Sequence, residues 1–398
     1  MSNWDKCRFG DLLAEPTRNG IHKGVEFQGR GTPVVKMGEV YSSKFVDDNG
    51  ERDFFELSDL ELSKLTIQMN DLLFCRTSLV ADGVGRCAIV RKVSRPTSFA
   101  SNLIRVRLDS KLADPGFYHF VFQSAMGMDF MRSIVRGTSV STITGPDISN
   151  LIVPKPPLAE QRAIAGVLGA LDDKIESSRR LVDTIDGLLR AELEHAIAND
   201  DNPREVRFGE IALRVGEAAD PRNLREHVPY IGLEHMPRGS MFLDSWGTSE
   251  GLGSGKSVFK EGNVLFGRLR PYFKKVGVAP IDGICSTDVL VLRPAFNESA
   301  AMLLALAASE EFIGYASAAA TGTKMPRVSW DYLSDWKTVL PSEAATNRFD
   351  IDMSPLVAKA ILSVHEQVAL AELREALLPE LLSGRLRVKD AESMMENV

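Results

Sequence analysis

Cysteine is scarce and never arranged in pairs: Cys7, Cys75, Cys87 and Cys285 lie far apart with no C-x-x-C spacing. That pattern excludes a disulfide framework and a cysteine-built zinc site, and the four read as small apolar core residues. Long apolar runs are missing as well. No stretch approaches the roughly 18 apolar residues that a membrane span needs, and Met1-Ser2-Asn3-Trp4-Asp5-Lys6 has no basic segment leading into an apolar one. The expectation is a cytoplasmic protein without a membrane partner. Catalytic signatures are equally sparse. The six histidines, His22, His119, His195, His227, His235 and His365, are scattered, and no His-x-x-x-His, carboxylate pair, nucleophile elbow or glycine-rich cofactor turn is present. No Asn-Pro-Pro-aromatic or Asp-Pro-Pro-Tyr tetrapeptide of amino-methyltransferases occurs either. Gly251 to Ser257 ends like a P-loop, but Glu250 stands where the motif needs glycine, and residues 257–259 lead into a strand rather than a helix. ATP binding is excluded on that ground, leaving a basic surface turn compatible with phosphate contact. These absences argue against catalysis, a cofactor or a metal in this chain.

What is present is a repeat. Arg8-Phe9-Gly10-Asp11 returns as Arg207-Phe208-Gly209-Glu210, Asp71-Leu72-Leu73-Phe74-Cys75-Arg76 as Asn263-Val264-Leu265-Phe266-Gly267-Arg268, and Gly137-Thr138-Ser139 as Gly322-Thr323-Lys324. The offsets are 199, 192 and 185 residues (208 − 9, 263 − 71, 322 − 137), in one order along the chain. A period this long is a duplicated domain rather than a solenoid, and 398 residues with 44% hydrophobic content give each copy room for its own core.

Each copy opens with short β-branched or alternating segments, such as 87–90, 103–108, 263–266 and 288–292, broken by Gly, Pro, Asn and Asp. These predict strands and turns. Helix-like composition follows over 115–132 and 299–317, so the fold class expected is α+β, with two domains of twisted, mostly antiparallel sheet carrying helices. A long helix then leaves each copy. In the first, Ile164, Leu168, Leu171, Ile175, Val182, Ile185 and Leu189 recur at spacings of four and three, interrupted by Ser178. In the second, Val357, Ile361, Val364, Val368 and Leu378 do so, with Glu375 as a polar exception. This heptad pattern predicts two helices packed as an antiparallel coiled coil, because neither small domain could bury so long a seam. Pairing of each helix with a different protein is the open alternative. The expected boundaries are 1–155 and 200–342 for the domains, 156–199 and 343–388 for the helices, and 389–398 for a polar tail.

A net charge of −7 counts against a nucleic-acid partner only if it is evenly spread. Residues 86–107 carry six arginines and lysines and no acid, and residues 256–275 carry six against Glu261. Basic runs at related places in two repeats favour a nucleic-acid surface over a merely solvated one. Residues 265–275 interleave cations with aromatics, a composition suited to phosphate contacts and to packing on bases. The candidates are Arg76 and Thr77 in the first copy and Arg268, Arg270, Tyr272, Lys274 and Lys275 in the second. The turns Thr138-Ser139 and Thr323-Lys324, the latter followed by Arg327, supply hydroxyls and cations at one place in each repeat.

Pro156-Pro157-Leu158-Ala159-Glu160-Gln161-Arg162-Ala163-Ile164-Ala165, continuing into Ala170-Leu171-Asp172-Asp173-Lys174-Ile175-Glu176, resembles the central conserved region of the DNA-specificity subunits of type I restriction-modification systems. Residues 377–388, from Leu377 through Pro379, Gly384 and Val388, are similar to the end of that family's distal conserved region. The resemblance implies two target-recognition domains that each read half of a split site in double-stranded DNA, spaced by a coiled coil. It also implies two modification subunits as partners, which bind S-adenosylmethionine and methylate adenine N6. Where the system has one, a restriction subunit using ATP and Mg joins them. The competing reading is a stand-alone methyltransferase or nuclease with diverged motifs. One departure stands out: residues 341–346 are a degenerate version of the conserved helix start at 157–161.

Overall fold

The computed structural model describes residues 4–78, 83–137, 141–220, 222, 227–295, 299–320 and 325–395. Two compact units emerge, Met1–Asp172 with Glu372–Val398, and Asp173–Ala371. The division falls inside both long helices, so each unit holds one α+β body together with a section of each helix.

In the first unit a sheet runs in the order Arg18–Asn19, Leu103–Val106, Leu72–Cys75, Cys87–Val90, Phe45–Val46. In the second, Ala212–Arg214, Val289–Pro294, Val264–Gly267 and Val276–Val278 repeat its first four places. Register repeats too: Cys75 faces Leu103 as Gly267 faces Val289. Each unit adds a second sheet with one parallel pair, Val34 against Ser98 in the first and Tyr230 against Ile284 in the second. The chain ends of each body close on each other, Asp5–Arg8 against Ile152–Lys155 and Arg204–Arg207 against Lys337–Leu340. Duplication therefore holds at the level of individual hydrogen bonds. Phe9 N–H donates to Leu151 O and Phe208 N–H to Trp336 O, each at 2.8 Å. Gly10 and Gly209 permit the close approach of the short helices Gly145–Ser149 and Trp330–Ser334, where an added Cβ would lie 2.9 Å from Ser149 O and from Ser334 Cβ respectively.

Each stretch of helix-like composition forms two helices in the structure. Pro115–Gln123 gives way to Ala125–Ile134, and Ala300–Ala307 to Glu310–Ala318. The break comes from a serine: the Ser124 and Ser309 hydroxyls accept from Gly127 N–H and Phe312 N–H, recapping the backbone where a continuous helix would have gone on. Packing over the sheet differs behind this shared frame. Phe122 lies 4.9 Å from Phe74 in the first unit, whereas Phe312 lies 5.4 Å from Phe266 in the second. By the caps, Phe312 occupies the place of Gly127, and Ala307 that of Phe122. The two bodies fill the same space from different positions.

The long helices span Leu158–Ala198 and Glu343–Leu382. In the first unit, Ile164, Leu168 and Leu171 are buried, as are Leu377, Leu378, Leu381 and Leu382 of the second helix. In the second unit, Val182, Ile185 and Leu189 share a core with Phe349, Met353, Ala360, Ile361 and Val364, and Ser178 Oγ donates to Glu366 at 2.7 Å. Early turns of one helix thus meet late turns of the other in each unit, the antiparallel arrangement expected. Ile175, Val357 and Val368 are half-buried. The phase of the second helix differs by one residue from the expectation. Its buried line passes through Ala360, Gln367, Arg374 and Leu381, so Glu375, read as the polar position on the seam, is exposed. Arg374 takes the place because its aliphatic stem packs while its guanidinium pairs with Asp172. The degenerate second helix start has a physical counterpart. Buried Gln161 accepts from Asp114 N–H at 2.9 Å and donates to Pro156 O at 2.8 Å, while Thr346 makes only one such bond, to Pro341 O at 3.3 Å. The stretch read as a polar tail is largely helical, Val388–Met395, with Ala391 buried.

Candidate nucleic-acid interface

Arg76 and Arg268 are the same residue of the repeat. Each follows the last residue of a central strand; Arg76 N–H donates to Asn102 O at 2.8 Å and Arg268 N–H to Asp288 O at 2.9 Å. Their carbonyls accept from Ile143 N–H at 3.0 Å and Val328 N–H at 3.1 Å. Both side chains are half-buried and both Nε atoms are buried without a hydrogen-bond partner. Thr77 is half-buried and pairs with Thr142, and Leu269 bridges to Arg327 in the matching place. Thr138, Ser139, Thr323 and Lys324 lie outside the described residues.

The second unit's turn is held unusually firmly. Arg270 and Lys274 adopt left-handed backbone, with φ of 50° and 53°, on either side of the short helical turn Pro271–Phe273. Side chains with a Cβ resist that region by about 1–2 kcal/mol each, so surrounding contacts must fix it. Arg270 N–H donates to Pro326 O at 2.9 Å, Gly239 N–H to Lys274 O at 3.0 Å, and Arg238 sits 4.1 Å from the Phe273 ring. Lys274 Nζ pairs with Glu310 at 2.6 Å. Tyr272 and Lys274 consequently stand exposed, with Arg270 half-buried beside them. Lys275 turns inward, its Nζ donating to Leu233 O, and burial followed by the nearby Arg238 lowers its pKa. Of the cations Arg268, Arg270, Lys274 and Lys275 it is the least suited to a phosphate.

The basic run at 86–107 is not the surface field its composition suggests. Arg105 is 2% exposed, pairing with Glu15 at 2.8 Å and donating to Thr66 O at 2.8 Å. Arg107 holds Asp71 at 2.7 Å and Glu15 at 2.8 Å. The hydrogen bonds that Arg107 donates to Asp71 raise its pKa, and burial lowers that of Arg105. Arg86 and Arg91 lie over the rings of Tyr41 and Phe45, at 4.0 and 3.2 Å. Sequence counting missed this because the neutralising acids, Asp71 and Glu15, are outside the run. Lys256, in the glycine-rich turn, is also buried, with Nζ donating to Ser254 O and Oγ at 2.7 Å. That lysine is occupied internally, so the turn loses its expected phosphate contact.

Asp288, read from the sequence only as part of a strand segment, is a residue of consequence for the site. Asp288 binds Arg327 at 2.6 and 3.1 Å through both carboxylate oxygens. The repeat register, which sets Asp288 opposite Asn102, was the signal that could have found it. Among the described residues no group of three His, Cys, Asp or Glu side chains could hold a metal, and no helix is long and apolar enough to cross a membrane.

Residues 1–186 match the family profile of the type I restriction modification DNA specificity domain. Over 165 residues the chain is 33% identical to the type I restriction enzyme EcoKI specificity subunit of Escherichia coli (strain K12), a match covering 41% of this chain and 35% of that protein. The chain thus matches only about a third of that relative's length. It is 21% identical over 350 residues to the EcoDI specificity subunit of Escherichia coli, covering 76% of each. The crystal structure of the type I restriction-modification system S subunit from M. genitalium has a similar fold, with a TM-score of 0.62, 15% identity, and coverage of 95% of this chain and 96% of that one. With the specificity-domain profile on its first 186 residues and specificity subunits among its relatives, the chain is similar to the type I restriction-modification DNA specificity subunits.

Proposed function

We propose that this chain is the non-catalytic, sequence-specific DNA-binding subunit of a type I restriction-modification complex. It recognises a bipartite site in double-stranded DNA and directs adenine-N6 methylation by two modification subunits, with restriction where a restriction subunit is present. S-adenosylmethionine, and ATP with Mg for restriction, belong to those partners. The observation that carries the reading is the equivalence of Arg76 and Arg268: one hydrogen-bonded frame, present twice, ending each time in a cation followed by a different sequence. Two unlike readers on one frame suit an asymmetric two-part site. The first candidates for DNA contact are Arg76 and Thr77 in the first unit and Arg268, Arg270, Tyr272, Lys274 and Arg327 in the second, together with Thr138, Ser139, Thr323 and Lys324, which are candidates from the sequence alone. Phosphate contacts would set position and loop side chains would read base edges in the major groove. The paired helices act as the spacer.

Base-resolved sequencing of adenine methylation in cells with and without this chain tests it. A split motif that disappears with the chain is expected, and an unchanged methylome would overturn the reading. Deleting one heptad from both long helices should change the spacer and leave the half-sites alone. The purified chain by itself should neither transfer methyl groups nor cut DNA.

A further inference from the structure

The repeat frame allows side chains of the two units to be compared place by place. Ala100 N–H donates to Val35 O at 2.9 Å and Ser286 N–H to Ile231 O at 3.1 Å; Leu103 N–H donates to Ala100 O and Val289 N–H to Ser286 O, both at 2.9 Å. With the strand registers, these bonds match Val34 to Tyr230, Ala100 to Ser286, Asn102 to Asp288 and Thr142 to Arg327. The first unit therefore has apolar or neutral groups where the second has a hydroxyl pair, a carboxylate and a guanidinium. The difference lies directly against Arg268, whose N–H is held by the Asp288 carbonyl.

Arg327 is fixed rather than free to search. Its Nε and Nη2 donate to the two oxygens of Asp288 at 2.6 and 3.1 Å, and the Asp288 backbone N–H donates to Ser286 Oγ at 3.2 Å. The side chains are 40% and 23% exposed. So open an ion pair adds little to stability, but it holds the guanidinium plane in one orientation. It also leaves the Nη1 end of the fork for a further acceptor. A phosphate can accept from such a fork too, but it is bound as well by a bare ammonium and so does not require the fork. The O6 and N7 atoms of guanine, side by side in the major groove, do need it, since a planar fork must meet both at once.

We propose that Arg327, oriented by Asp288, is the base-reading arginine of the second unit and selects a guanine in its half-site, a role that Thr142 and Asn102 cannot take in the first. The assignment rests on the DNA-binding function proposed above. Asp288 is a positioning residue and Arg327 the reading one.

The test is base-resolved methylation of a randomised-site DNA library by the complex assembled with its modification subunits, using the wild type, Arg327→Ala, Arg327→Lys and Asp288→Asn. The wild type should yield a split motif with a guanine in one half. Arg327→Ala should relax that single position by roughly 10- to 100-fold and leave the other half-site unchanged. Arg327→Lys, which keeps the charge without the fork, should lose the guanine preference yet retain the salt dependence of binding. Asp288→Asn should weaken the preference at the same position and no other. A uniform loss across all sequences, equal for Ala and rescued by Lys, would mean a phosphate contact and overturn the assignment. So would a motif identical to wild type in the Ala variant. If the wild-type complex itself gives no split motif, the DNA-specificity reading fails and this assignment with it. Thermal unfolding of each variant separates these outcomes from loss of fold.

Discussion

Asp172 of the first long helix and Arg374 of the second form an ion pair at 3.3 Å with both side chains only 7% exposed. Arg374 also reaches Glu375. A buried pair of this kind is weak evidence for stability, because desolvation offsets much of the attraction, but losing one partner strands the other. Arg374→Met should therefore destabilise the chain by about 3–5 kcal/mol. The double variant Asp172→Leu with Arg374→Met should recover most of that loss. Urea denaturation of the wild type, both singles and the double gives the coupling directly. Additive losses would show that the pair does not act as a unit.

The seam shows how far the residues alone could lead. Period and direction of the long helices were legible because they follow from apolar spacing. Phase was not: Gln367 and Arg374 are buried where apolar spacing pointed to Val368 and Glu375, and Arg374 is held there by its ion pair with Asp172. The same limit governed the candidate interface. Arg76 and Arg268 could be matched from a six-residue echo, since backbone framing is local in sequence. The spending of Arg105 and Arg107 on Glu15 and Asp71 could not be seen, because those acids are 90 and 36 residues away. Likewise the exchange of Phe122 for Phe312 is invisible to any residue-by-residue alignment, as each unit closes its core from a different turn of the helix pair.

Asp71 gives the second prediction. It is 1% exposed, accepts two bonds from Arg107 at 2.7 Å and one from Gln68 N–H at 2.8 Å, and the repeat places Asn263 at the same point. Asp71→Asn keeps the shape and removes the charge, leaving Arg105 and Arg107 with Glu15 alone. The expected cost is about 2–4 kcal/mol, between a lost charged hydrogen bond and a broken buried pair. Chemical denaturation measures it, and DNA binding by the folded fraction should be unaffected.

Gly127 gives the third. An added Cβ would lie 2.3 Å from Val121 O and 2.4 Å from Phe122 Cα, closer than real side chains approach. Gly127→Ala must force the two helices apart despite the higher helix propensity of alanine. A loss of about 1–3 kcal/mol is expected, typical of overpacking. Gly314, whose Cβ would meet nothing within 4 Å, is the control: Gly314→Ala should be neutral or stabilising by up to about 1 kcal/mol. Thermal unfolding of the two variants should separate them in opposite directions.

Lys274 separates stability from binding. Its left-handed backbone costs about 1–2 kcal/mol for a residue with a Cβ, and its exposed pair with Glu310 contributes at most about 1 kcal/mol. Lys274→Gly relieves the first and forfeits the second, so stability should hold or rise slightly. If the ammonium contacts a phosphate, the slope of log K against log salt should fall in magnitude by about 0.9 in the assembled complex. An unchanged slope would place Lys274 off the DNA.

His119 carries the pH dependence. The ring is 1% exposed, with neither nitrogen hydrogen-bonded, beside Phe45 and Phe120. Burial first, then the nearby cations Lys44, Arg91 and Arg374, push its pKa from 6.5 down to about 3. The folded chain keeps the ring neutral while the unfolded chain takes up a proton below its ordinary value. The unfolded state therefore binds more protons between those limits, and stability falls as pH drops from about 6.5 towards 3. Once protonation of the unfolded state is complete, the contribution of one such group is about 1.4 kcal/mol per pH unit. His119→Leu removes it and leaves no stranded polar atom, so the variant should match or exceed the wild type at neutral pH. Denaturation at pH 7.5, 6.5 and 5.5 should show the variant gaining on the wild type as the solution is acidified. A constant difference across that range would mean that His119 takes up its proton equally in the folded and the unfolded chain.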